Sequence, residues 1–286
     1  MIGGSVIEVN AARPIWIWLD SAATCNIACK LCYTTPMRSP SFMPVELFTG
    51  IVDAVRAAPV EVIKFHLNWR GEPVSNPRLA QMLSILSRHP WPVEWHTNAT
   101  MLTRRKAAAV VESHPGQRIM LSLDGGNRSS FEANRGPGTW SRALRGAEAL
   151  LDARNGRPNP SIGIYQLDLG VDPRQWETRF HDIVSRVDQH VIEKPVDLDG
   201  AVVGHQPVPI PDGPCFWMGN ILAIDVNGDA WTCLLRNGTR LGSVLAEGVQ
   251  PLLDRARALR QRVVHGTRAA VPGCATCRKK EGHAWV

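Results

Sequence analysis

The stretch Cys25-Asn-Ile-Ala-Cys29-Lys-Leu-Cys32 places three cysteines within eight residues, at C-x3-C-x2-C spacing. It follows closely on the apolar run Pro14-Ile-Trp-Ile-Trp-Leu-Asp20, whose residues predict a strand. Thiolates are soft ligands and the usual ligands of iron–sulfur clusters. Three of them on one short loop suit a 4Fe–4S cube with three irons held by protein and the fourth left open. A small molecule can chelate an open iron and receive an electron there. The competing reading is a zinc knuckle. Structural zinc takes four closed ligands, and the next histidine along the chain is His66.

The rest of the chain sets the frame for that loop. Its 286 residues leave room for one large domain, or one domain with a small appendage. There is no run of about 18 apolar residues, so no membrane span is expected, and no signal-peptide pattern opens the chain. Seven cysteines without a secretion signal imply reduced thiols and a cytoplasmic protein, where clustered cysteines bind metals rather than form disulfides. The net charge of +6 is mild and the arginines are scattered. With no basic tract interleaved with aromatics, nucleic acid is not an expected partner.

Outward from the cysteine loop, hydrophobic periodicity predicts alternating strands and helices. Residues 1–13 read as a leading strand or arm. Strands are expected over 14–20, 60–67, 93–98, 119–124, 161–167 and 190–193. Helices are expected over 44–57, 76–88, 103–113, 139–153 and 173–185, with Thr103 as an N-cap. Six strands separated by helical segments predict an α/β fold of parallel β/α units with right-handed crossovers.

The loop after the first strand resembles that of the radical S-adenosylmethionine (SAM) enzymes. The resemblance implies a partial (β/α)6 barrel with a 4Fe–4S cluster on Cys25, Cys29 and Cys32. It also implies SAM chelated at the open iron, an external electron donor such as flavodoxin or ferredoxin, and hydrogen abstraction by a 5′-deoxyadenosyl radical. Chemistry in such barrels sits at the C-terminal ends of the strands. Further segments resemble the family there. Trp69-Arg70-Gly71-Glu72-Pro73 is similar to a Gly-Gly-Glu-Pro segment that meets the SAM amino group, with Arg70 in place of the first glycine and a bulky cation expected beside the cofactor. His96-Thr97-Asn98 is similar to a Thr-Asn-Gly turn. Ser122 and Asp124 stand where the family meets ribose and carboxylate, and Arg135 precedes a glycine as in related enzymes. Leu31 and Tyr33 flank the third cysteine where adenine is contacted. Gly163 is expected to bring strand backbone to the adenine.

The last third holds Cys215, Cys233, Cys274 and Cys277. Between the first two, Ala223-Ile-Asp-Val-Asn227-Gly228-Asp-Ala-Trp-Thr232 gives two runs about an Asn-Gly turn, a hairpin signal. A hairpin flanked by cysteines and joined by a distant C-x2-C pair can gather four thiolates around one point, as zinc or as a cluster. The spacing resembles the short auxiliary-cluster module called twitch, related to the longer SPASM domain. It implies a barrel over residues 1–205, a small C-terminal β-hairpin/helix iron–sulfur domain over 206–286, and two 4Fe–4S clusters in all.

Cysteine spacing and barrel motifs together resemble dehydrogenases of the butirosin type and epimerases of the neomycin type. The expected reaction is oxidation or epimerisation at a carbinol carbon of a carbohydrate-like or aminocyclitol intermediate in antibiotic biosynthesis. Tyr165, Asp168 and Glu193, at late strand ends, are the candidate catalytic residues; His66, Asn68, His96, Gln166 and Lys194 are further candidates for the pocket. The rival readings are a radical peptide maturase and a zinc-binding, RNA-associated protein.

Overall fold

The β-branched and aromatic runs become six short parallel strands: β1 (Ile15–Leu19), β2 (Val62–His66), β3 (Val93–Thr97), β4 (Arg118–Ser122), β5 (Ser161–Leu167) and β6 (Gln189–Glu193). They pair in sequence order, each with the next. The computed structural model describes residues 14–195, 212–235 and 238–277. The expected leading arm and the expected boundary at 205/206 lie outside those residues.

Alternation gives the sheet two unlike faces. Ile15, Ile17, Leu19, Phe65, Trp95, Ile119, Leu121, Ile162 and Ile164 are fully buried in one apolar core. That core is closed by helices α1 (Val45–Ala57), α2 (Leu79–Leu86), α3 (Arg104–Ser113), α5 (Trp140–Arg154) and α6 (Thr178–Val184), through Phe48, Ile51, Leu83, Val110, Leu150 and Phe180. Each such side chain contributes roughly 1.5–3 kcal/mol of burial. The opposite face carries Trp18, His66, Glu94, His96, Arg118 and Tyr165 into a cavity. Thr103 caps α3, its side chain accepting from the Lys106 amide at 3.2 Å.

Three local expectations need correction. The helix expected from residue 76 starts at Leu79, because Asn76 Nδ2 donates to the carbonyls of Ser21 (2.8 Å) and Met43 (3.3 Å) and holds the chain in a turn. An unpredicted helix, α4 (Arg128–Arg135), is capped by Asn127, which accepts from the Ser130 amide. The segment from 173 to 185 divides into a 3-10 turn at Pro173–Gln175 and α6.

The C-terminal hairpin forms where its Asn-Gly signal places it, and Gly228 takes φ +82°. Asp225 Oδ1 accepts from the amides of Asn227 and Asp229 and pins the turn. Its strands β7 (Ile221–Ile224) and β8 (Asp229–Trp231) are joined by β9 (Arg240–Ser243), and the whole continues the barrel sheet. β7 runs parallel to β1, so all four of its residues are buried instead of alternating. Two helices follow, α7 (Val244–Glu247) and α8 (Val249–Val264). A second apolar cluster joins Trp18 and Trp69 to Trp217, Met218, Ile221, Leu234, Val263 and Val271, with Cys215 and Cys277 among them.

Candidate active site

β1 hands the chain to the cysteine loop. Cys29, Leu31, Cys32 and Tyr33 line a cavity of about 280 Å³. Burial pushes the Cys29 thiol up to about 11 and Cys25 in the same direction. Burial acts on Cys32 as well, but its hydrogen bond with Thr34 and the charge of Arg38 prevail and hold that thiol below its ordinary value. Arg38 donates to Cys32 Sγ at 3.1 Å and to the Ile27 carbonyl at 2.6 Å, so it also shapes the loop.

The segment at residues 69–73 braces this loop from behind. The Glu72 amide donates to the Thr24 carbonyl at 2.9 Å. A Cβ on Gly71 would lie 2.1 Å from that oxygen and 2.2 Å from the Ala22 carbonyl, so only glycine permits the approach. The Glu72 carboxylate is buried and accepts from the Val74 amide, the Thr97 hydroxyl and the Asn98 amide. Asn98 Nδ2 in turn donates to Asn26 Oδ1 at 3.1 Å, within the loop. Arg70 does not stand beside a cofactor cavity as expected. Its guanidinium lies over the Trp69 and Trp231 rings and faces Asp20 and Asp225 at 3.9 and 3.7 Å. The Asp225 carboxylate and two ring faces draw the cation away from the cysteines, with the Asp20 carboxyl beside it.

A clamp closes the other side. Asp124 is fully buried and lines neither cavity. Its Oδ1 accepts from the Leu167 amide at 3.1 Å, and its Oδ2 from Asn134 (2.8 Å) and Arg135 Nε (2.6 Å). Asn134 Oδ1 accepts from the Leu31 amide and its carbonyl from the Lys30 amide. Arg135 Nη1 stands 4.0 Å from Cys29 Sγ. Asp124 thus holds the residues that meet the loop instead of lining the space itself.

Beside the 280 Å³ cavity lies one of about 220 Å³, bounded by inner-face residues of β1 to β6. The two share Tyr33, Asn68, Ser122, Arg135, Tyr165 and Leu167 as walls. In the second, the Tyr165 hydroxyl donates to Glu193 Oε2 at 2.7 Å. Burial, reinforced by Glu193, pushes the phenol well above its ordinary value, so Tyr165 keeps its proton. Lys194 lines only the first cavity, and His66, Asn68 and His96 line the second as expected. Asp168 lines neither; its carboxylate accepts from the Gly170 amide at 2.9 Å and shapes the turn after β5. Gly163 lies deeper: a Cβ there would meet Met120 Sδ at 2.7 Å, so the glycine serves side-chain packing inside the barrel.

Cys215, Cys233, Cys274 and Cys277 line one small cavity. Burial pushes Cys274 up to about 11 and Cys233 further. Among the described residues, no three His, Cys, Asp or Glu side chains close tightly enough to hold a single metal ion. The choice of group for these four thiols therefore rests on donor chemistry. Leu234, next to Cys233, lines the 220 Å³ cavity.

A family profile for the radical SAM superfamily matches residues 21–175. The chain belongs to the radical SAM superfamily. The matched span covers the cysteine loop, the Glu72 brace and the Asp124 clamp. A mycofactocin maturase of Mycolicibacterium smegmatis is 28% identical over 148 residues, 51% of this chain and 36% of the relative's length. Among solved structures, BtrN in complex with AdoMet and 2-DOIA superposes with TM-score 0.60 at 12% identity, covering 92% of both chains. Streptococcus suis SuiB bound to its precursor peptide SuiA gives TM-score 0.64 at 12% identity, over 84% of this chain and 64% of that one. AdoMet-bound anSMEcpe gives 0.66 at 15% identity, over 87% and 84%. These likenesses establish a shared fold.

Radical SAM enzymes use SAM and a 4Fe–4S cluster, and three soft thiols on one loop, two of them lining the 280 Å³ cavity, fit that pair. Sequence reasoning missed Arg38 and Thr34 around Cys32, and the Asn134 clamp on the loop backbone. The signal for Arg38 was its place six residues after Cys32.

Proposed function

We propose that the chain is a radical SAM oxidoreductase that oxidises a carbinol carbon of a small carbohydrate-like or aminocyclitol substrate. When bound, SAM and two iron–sulfur clusters supply hydrogen-atom abstraction and accept the electron left on the substrate. Cys25, Cys29 and Cys32 hold the first cluster, and Arg38 and Thr34 favour the thiolate of Cys32 that a metal needs. Leu31, Tyr33, Ser122 and Arg135 bound the space for SAM; Glu72 and Asn98 fix the loop, and Asp124 aims Arg135. Cys215, Cys233, Cys274 and Cys277 hold the second cluster within a C-terminal auxiliary module. Tyr165 and Glu193 face the substrate and manage its proton.

The observation that carries this reading is the cavity bounded by Tyr165, Glu193, His66 and His96, which abuts the cysteine loop on one side and Leu234 on the other. Polar side chains stand among its largely apolar walls, and its size suits a small ring. All seven cysteines are assigned to clusters, which leaves no thiol to return a hydrogen atom, so oxidation is favoured over epimerisation. In epimerisation Tyr165 would be the donor. Peptide modification is the second reading, favoured by the 28% identity to a maturase.

Anaerobic reconstitution followed by iron and sulfide analysis tests the two-cluster assignment. About eight irons per chain support it; about four irons with zinc at the C-terminal site overturn it. Assays with 2-deoxy-scyllo-inosamine and with a leader-bearing peptide separate ketone formation from peptide modification. Buffer in deuterated water reports epimerisation as deuterium at the inverted carbon of the product.

A further inference from the structure

His66 is the end of β2 and only 3% exposed, yet its ring lines the 220 Å³ cavity. The ring stacks on Trp18, 3.7 Å between centroids and 6° between planes. Its Nδ1 faces Glu94 Oε1 at 3.6 Å. Its Nε2 is buried and meets no hydrogen-bond partner. A buried polar atom without a partner costs roughly 1–3 kcal/mol, and the cavity is the space from which a partner can come.

The surroundings decide the form of that nitrogen. Lys64, on the same strand, donates to Glu94 Oε2 at 3.0 Å. From β3, His96 Nε2 stands 3.6 Å from Glu94 Oε1, and from β4, Arg118 reaches Glu94 Oε2 at 3.4 Å. Trp18 on β1 presents only its ring face. Burial raises Glu94, but His96 beside it and the Lys64 ammonium that donates to it bring it down to about 2, so it is an anion. Burial holds His66 neutral, at about 3. A neutral imidazole beside an anionic carboxylate keeps its proton on the nitrogen facing that carboxylate. Nε2 is then an acceptor.

We propose that His66 Nε2 is the acceptor that fixes a substrate hydroxyl in the cavity, with Glu94 as the positioning residue that sets its tautomer. The proposal rests on the carbinol reading above and narrows it: the ligand carries a hydroxyl directed at β2, and an apolar side chain of a peptide leaves Nε2 unpaired. A site built around a buried acceptor rejects analogues lacking the donor more strongly than it rejects a change of bulk.

Imidazole nitrogen NMR of the reconstituted holoenzyme, with and without 2-deoxy-scyllo-inosamine, tests it. The expected result is Nδ1–H with bare Nε2 in the free enzyme, an Nε2 shift on adding the aminocyclitol, and a mixed tautomer in Glu94→Gln. His66→Phe keeps the stack on Trp18; it is expected to raise KM for the aminocyclitol about 10–100-fold with kcat within a few-fold, and His66→Gln to recover part of that. An Nε2–H tautomer, or no Nε2 shift with the aminocyclitol, overturns the proposal even where the His66 variants fold poorly. A wild-type enzyme that shows the shift but forms no ketone upholds this binding role and overturns the carbinol reading instead.

Discussion

Trp69 Nε1 donates a 2.7 Å hydrogen bond to the carbonyl of Leu234, 165 residues along the chain. It is a direct link between the segment that braces the first cysteine loop and the loop that carries Cys233. Both residues are buried in the apolar cluster around the C-terminal cysteines. Trp69→Phe keeps most of the ring but strands that carbonyl. The expected cost is about 1–3 kcal/mol, read as a lower thermal midpoint of the holoprotein. An unchanged midpoint shows that the two loops are not coupled through this bond.

Gly71 tolerates no side chain. The carbonyls of Ala22 and Thr24 occupy the space of a Cβ, and backbone there cannot retreat without moving the cysteine loop. Gly71→Ala is expected to lose iron from the first site while leaving the C-terminal site filled, so reconstituted iron falls by about half. Full iron content in that variant refutes the bracing role.

Asp124 and Arg135 form a buried pair, and removing one partner of such a pair typically costs about 3–5 kcal/mol. Asp124→Ala tests whether Arg135 must be aimed. The expected outcome is at least about tenfold lower kcat/KM for SAM, as 5′-deoxyadenosine release, together with reduced stability. A variant that loses stability alone assigns Asp124 a purely structural part.

Much of this was legible in the sequence, for identifiable reasons. Cysteine spacing, strand alternation and the Asn227-Gly228 turn are local signals, and the loop, the six strands and the hairpin stand where those signals place them. Relations carried by distant partners were not legible. The direction of Arg70 depends on Trp231 and Asp225, and the burial of β7 on its pairing with β1. The role of Asp124 depends on α4, which has few apolar positions to announce it beyond Phe131. Asp168 sits at a strand end like a catalytic residue, yet its carboxylate is spent on a turn.

Asp20 makes a prediction about pH. Burial pushes its carboxyl up to about 8 from 3.8, and its Oδ2 has no hydrogen-bond partner. The folded state therefore keeps a proton that the unfolded chain has released, and stability falls as pH rises from about 4 to about 8. His66 acts in the opposite sense, but below its ordinary 6.5. Between pH 6.5 and 8.5 the wild-type thermal midpoint is expected to drop, and Asp20→Asn to flatten that slope. Parallel slopes in the two proteins contradict the assignment.

The most direct measurement follows a single hydrogen. The reconstituted enzyme is given SAM, a strong reductant and 2-deoxy-scyllo-inosamine deuterated at its carbinol carbons. Deuterium in the recovered 5′-deoxyadenosine, matched by ketone, is the predicted result. Unlabelled 5′-deoxyadenosine with no ketone, alongside labelled 5′-deoxyadenosine from a deuterated peptide, would contradict it.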